Sequence, residues 1–142
     1  MPTAKVTKLP TAPQRPPVVL SHNSLGTDPT ATLITSRMLG AVPYACIVDS
    51  VTVGIQAGLG AQAVNFWTFS ILDASDNVVA TVTNETAFVT KVVRTATLDS
   101  TYTTLAAGAS LQIKLAAEGA GSDDLSTTDI AFTATLRPQG TD

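Results

Sequence analysis

Hydrophobic and polar residues alternate along most of this chain, and the cleanest alternation lies in residues 64–82. Trp67, Phe69 and Ile71 share one parity, and Thr68 and Ser70 take the other. A period of two places successive side chains on opposite faces, the mark of a strand with one buried face. The polar cluster at 73–77 holds two Asp and one Asn, whose short side chains bond to nearby backbone and favour turns. Val78, Ala80 and Val82 then resume in phase. The pattern predicts a β-hairpin whose aromatic face lies at the centre of a core.

Weaker versions of the same pattern flank it. Residues 31–39 alternate loosely and predict a first body strand, broken at 40–43 by Gly40 and Pro43. Residues 44–56 predict a long strand with Val51, Val53 and Ile55 in phase and Asp49 on the same parity. Glycines at 58 and 60 mark a turn, since glycine tolerates positive φ. Residues 91–98 read as one strand, with Val92, Arg94, Ala96 and Leu98 opposite Val93, Thr95 and Thr97. Residues 99–104 form a polar linker that holds Tyr102. Leu111, Ile113 and Leu115 alternate with Gln112 and Lys114 after a turn at Gly108. A helix over 106–117 fails on Gly108 and on that strict alternation. Residues 118–124 form a surface loop, and Ile130, Phe132, Ala134 and Leu136 line a last strand ended by Arg137 and Pro138. About seven or eight strands at this spacing predict an all-β, antiparallel, jelly-roll-like β-sandwich.

Residues 1–29 break the pattern. Six of the chain's eight prolines fall here, at 2, 10, 13, 16, 17 and 29. Proline fixes φ and removes a donor, so the segment is expected to be an extended arm, largely polyproline-II in character. The domain reading is an arm over 1–29 and a β-sandwich over 30–142. The arm is expected to order on a partner rather than to be a free leader. The partner-binding residues assigned to it are Lys5, Lys8, Leu9, Arg15, Val18, Val19 and Leu20. Val18, Val19 and Leu20 form an apolar anchor able to add a strand to a sheet edge.

Composition agrees with the pattern and narrows the chemistry. The 142 residues suit one domain, 44% are hydrophobic and 13% charged, and Thr is abundant, as on solvated sheet faces. The arm carries three basic residues against Asp28, a net +2, and the remainder carries five basic against ten acidic residues, a net −5. An acidic body lacks the basic face that phosphates require, so no nucleic-acid partner is expected. Apolar runs fall short of the ~20 residues of a membrane span, and no membrane partner is expected. The N-terminus has no continuous apolar stretch of the signal-peptide kind. The single cysteine, Cys46, allows no internal disulfide and sits in an apolar run as a small buried hydrophobe. Synthesis in a reducing cytoplasm fits this usage.

Motifs for catalysis are missing. No nucleophile elbow, phosphate loop, dinucleotide fingerprint or Cys/His metal set occurs, so no catalytic, metal or cofactor residue is assigned and no enzyme is expected. His22 is the one histidine, remote in sequence from Cys46. Asp73 with Asp76, and Asp123 with Asp124, fall in predicted turns and read as turn residues rather than calcium ligands. The triplet Asn84-Glu85-Thr86 matches a glycosylation acceptor by chance. Phe88 and Tyr102 read as core filling rather than as exposed glycan-binding aromatics.

Two stretches carry a resemblance. The strand closing on Val51-Thr-Val-Gly-Ile55, its Gly-rich turn and Asn65-Phe-Trp-Thr-Phe-Ser-Ile71 are the first. Leu105-Ala-Ala-Gly-Ala-Ser-Leu-Gln-Ile113, followed by a terminal strand ending in Arg137-Pro138, is the second. Over residues 31–138 the chain resembles the small jelly-roll capsid decoration (cement) proteins of tailed double-stranded DNA phages. The resemblance implies a homotrimer on the outer surface of a virion, bridging major capsid protein subunits, with terminal extensions reaching neighbours. Residues 1–29 fit that role. A tail, neck or fibre component and a jelly-roll lectin or adhesin module are the alternative readings.

Overall fold

In the computed structural model, residues 15–25, 37–118 and 122–139 are described. Within them the chain forms ten strands and no helix. They are β1 (Val18–Leu25), β2 (Arg37–Ala41), β3 (Cys46–Ile55), β4 (Trp67–Asp73), β5 (Val78–Thr83), β6 (Val93–Thr95), β7 (Thr97–Leu98), β8 (Thr104–Leu105), β9 (Ser110–Ala117) and β10 (Asp129–Pro138). All pairs are antiparallel. One sheet runs β1-β10-β3-β6, with β8 also paired to β3, and the other runs β2-β9-β4-β5-β7. The two pack face to face as a sandwich, as the alternation predicted.

The aromatic hairpin is the middle of one sheet. Trp67, Phe69 and Ile71 are fully buried. Phe69 reaches across to the other sheet, with its ring centroid 6.4 Å from that of Phe132 on β10. It also meets Phe88 edge-on at 5.4 Å, a geometry aromatic quadrupoles favour. Leu111, Ile113 and Leu115 on β9 and Ile130, Phe132, Ala134 and Leu136 on β10 complete the core. Cys46 is buried and free, with desolvation pushing its thiol up against the opposing charge of Arg15. Phe88 is buried, and Tyr102 packs on the core from its edge.

The departures from simple alternation are bulges and one crossing. On β3 the buried parity changes from Cys46 and Val48 to Val51, Val53 and Ile55. The register against β10 slips there, with Val48 opposite Leu136 and Ser50 opposite Thr135. Asp49 is the extra residue. It therefore leaves the core row and pairs with Arg137 on the surface, although its parity matched Val51. A second bulge separates Ile71–Ala80 from Leu72–Val78 in the hairpin. It turns Val79 inward, and Val78, expected in phase with Ala80 and Val82, is 41% exposed.

Residues 91–98, expected as one strand, are two. β6 pairs with β3 in one sheet and β7 with β5 in the other. The chain crosses between sheets at buried Ala96, whose N–H donates to the Val51 carbonyl at 2.8 Å. The break expected at 40–43 comes later, because β2 continues through Gly40 to Ala41 with a register shift. A Cβ at Gly40 would lie 3.0 Å from the Leu20 side chain, so glycine leaves the room into which β1 packs. Strand β8, two residues long, was not anticipated. The early part of the expected strand over 31–39, the boundary between 29 and 30, and residues 119–121 of the 118–124 loop lie outside the described residues.

Candidate partner interface

The arm-side residues divide into two groups. Lys5, Lys8 and Leu9 lie outside the described residues. Arg15, Val18, Val19 and Leu20 lie at one end of the sandwich, where the chain enters β1. The whole of β1 pairs with β10, from Val18 opposite Leu136 to Leu25 opposite Asp129. The apolar anchor thus adds a strand to a sheet edge, and that edge belongs to its own chain. Alternation sorts its side chains. Val18 and Leu20 pack against the core, and Val19 on the other face is 61% exposed.

The entry into β1 is held by Tyr44, which precedes β3. The Arg15 guanidinium stacks over the Tyr44 ring at 4.9 Å from its centroid, a cation–π contact. The Tyr44 hydroxyl donates to the Pro16 carbonyl. Pro16 and Pro17 have no N–H to donate, so the arm's root makes its attachments through a carbonyl and a cation. Beside them the Asp49–Arg137 pair is exposed and Gln139 N–H donates to the Ala45 carbonyl at 2.8 Å. This end therefore gathers β1, the start of β3 and the close of β10, three segments far apart in sequence.

The opposite end gathers the loops 56–66 and 84–92 and the described residues 122–128. They are organised by a residue that sequence reading treated as a chance triplet. Asn84 is fully buried. Its Oδ1 accepts from the Trp67 N–H at 2.6 Å, and its Nδ2 donates to the Gly60 carbonyl at 2.9 Å. Its carbonyl accepts from the Gln62 N–H at 2.8 Å. In the folded chain this amide is occupied inside the protein, away from any glycan. Nothing in a single sequence separates an Asn that ties two loops from one on a surface. The Trp67 indole N–H donates to the Asp123 carbonyl at 2.7 Å, fixing the third loop to the same centre. Val64, Val89, Val92 and Val93 are exposed around this end.

Two of the carboxylates considered as possible ligands, Asp73 and Asp124, are engaged in turns. Asp73 accepts from the Ser75 and Asn77 N–H groups and from the Asn77 side chain. Burial alone would raise its carboxyl, but these hydrogen bonds outweigh it and hold the group below the usual carboxylate range. Asp124 accepts from the Ser126 N–H. Among the described residues no cluster of three or more His, Cys, Asp and Glu is placed to hold a metal ion. His22 lies opposite Phe132 and Cys46 opposite Pro138 on β10, which separates them by about 20 Å at the usual strand rise.

No protein-family model matches the chain, and no curated protein matches it. Among solved structures, it is similar to a chain of the capsid asymmetric unit of cyanophage Pam1. That match has a TM-score of 0.52 and 19% identity, covering 98% of this chain and 100% of the other. A match to the structure of infectious bursal disease virus, Gx strain, has a TM-score of 0.36 and 10% identity, covering 99% of this chain and 38% of that one. The first likeness shows a shared fold.

Proposed function

We propose that this chain is a structural protein of a virion that decorates and stabilises a phage capsid. In this reading it is a trimer on the outer shell surface, it bridges major capsid protein subunits, and its N-terminal arm ties it down. One observation carries the reading: the sandwich shares its fold with a chain of a cyanophage capsid asymmetric unit. The physical logic is multivalency. Three arms on one body raise the effective concentration of each contact, so a shell can be strengthened without any single strong bond. The arm's net +2 beside a body of net −5 allows an acidic shell surface to attract the arm in preference to the body.

The test is co-purification with intact particles and the copy number relative to the main shell protein. Hundreds of copies per particle support decoration. A few to tens would move the chain to a tail or neck, and no association would remove the reading. A truncation meant to isolate the arm has to stop before Val18, because cutting after residue 29 also removes β1 from its pairing with β10.

A further inference from the structure

The two sheets have unequal edges. An open edge presents unpaired N–H and C=O groups, and proteins blunt such edges by shortness, bulges or charge. β6 is three residues long, and β7 and β8 are two residues each. β2 is five residues long, is bulged and carries Arg37. β1 has none of these devices. It is eight residues long, pairs with β10 in unbroken register and contains no Lys, Arg, Asp, Glu or Pro. Its other edge pairs with no described residue.

We propose that this edge of β1, unpaired among the described residues, is the docking site for residues 3–9 of a second copy of this chain, added there as a further strand. The proposal rests on the trimeric reading above and says what would close the trimer. Residues 3–9, Thr-Ala-Lys-Val-Thr-Lys-Leu, are the one proline-free run of strand length ahead of Arg15, and they match the eight-residue edge in size. The composition of the connection disfavours a return of that run to its own β1. A hairpin return is made by two to five residues, typically with Gly or Asn, whereas residues 10–17 hold four prolines and neither of those residues. Proline-rich sequence of this kind favours an extended spacer over a tight return. Its exit is held where Arg15 stacks on Tyr44 and Tyr44 bonds to the Pro16 carbonyl.

Arm-to-edge contact joins two different surfaces, so copies add head to tail and three of them close a ring. Backbone groups carry the pairing, which leaves side chains such as Lys5 and Lys8 available to a shell.

The experiment uses the full chain with Ser21→Cys on the exposed side of β1 and, in turn, Lys5→Cys, Val6→Cys or Thr7→Cys in the arm, under mild oxidation. Cys46 is buried and stays out of the reaction. The expected result is a disulfide-linked ladder ending at the trimer for at least one pair. A link confined to single chains, or none for any pair, overturns the proposal. In parallel, Val6→Pro in the otherwise intact chain is expected to weaken assembly by about tenfold or more by light scattering, through the lost donor, with an unchanged thermal midpoint at dilutions where both proteins are single chains. An unchanged trimer overturns the proposal as well. A trimer linked in this way that ignores capsids would remove the decoration reading and leave this one standing, and an unlinked chain that still binds capsids would do the reverse.

Discussion

Strands β1 and β4 are written in the same alternating code and end in opposite situations. β4 has β9 on one side and β5 on the other, and three of its side chains are fully buried. β1 has β10 on one side alone among described residues, and even its inward-facing Val18 and Leu20 remain half-buried. The difference lies in what each strand is connected to. β4 meets β5 through the short connection 74–77, so its pairing is local and cheap in chain entropy. β1 meets β10 across more than a hundred residues of sequence, and that contact forms only when the whole sandwich does. A centre therefore tolerates little change, and an edge tolerates much.

Four measurements would break or sharpen that contrast. Trp67→Ala removes the largest fully buried side chain and an indole hydrogen bond. It is expected to cost about 3–5 kcal/mol in denaturant unfolding, and a loss below 1 kcal/mol would remove β4 from the centre. Asn84→Ala leaves the Trp67 N–H without its acceptor and the Gly60 carbonyl without its donor. The expected loss is roughly 2–3 kcal/mol, the scale of buried groups left unpaired, read by the same unfolding curves.

Asp73→Ala tests the hairpin turn through pH. The folded state holds this carboxyl below its ordinary 3.8, so it favours the charged form. The stabilisation is complete above the unfolded carboxylate's range and is lost as pH falls through the folded value. The gap in thermal midpoint between wild type and variant should be constant near neutrality and narrow below about pH 4. A gap that does not change with pH would show that the turn does not depend on the carboxylate. The smallest effect belongs to the edge. Val19→Thr, on the exposed face of β1, should shift stability by no more than about 0.5 kcal/mol, and a larger loss in the isolated protomer would make this strand part of the core.

Legibility followed the locality of the interactions. The parity of Trp67, Phe69 and Ile71, and that of Leu111, Ile113 and Leu115, could be read because a buried face imposes a period of two on neighbouring residues. Asp49 and Val78 were assigned to the wrong side because each lies at a bulge, where one extra residue inverts the parity. The split of 91–98 into β6 and β7 was hidden for a related reason. Alternation continues unbroken through Ala96 while the hydrogen-bonding partner changes sheet.

Of the residues assigned to a partner interface, Val18, Val19 and Leu20 were legible as strand material, since β-branched and apolar residues suit a half-buried surface. Their partner was not, because a strand's side chains specify which face is buried and leave its neighbour open. Asn84 carried no signal, since its value lies in bringing together Trp67 and Gly60.

By itself the sequence determined the class of the fold: an all-β chain, a hairpin with an aromatic face, and a proline-rich beginning unlike the rest. Those are consequences of side-chain period and backbone restriction, which act over a few residues. Only the tertiary structure decided which strands are neighbours, where the bulges fall, that β1 is joined to β10, and that its other edge is the longest and least defended among the described strands. Pairing between distant segments depends on backbone groups that every residue shares, so side-chain pattern alone leaves it unwritten.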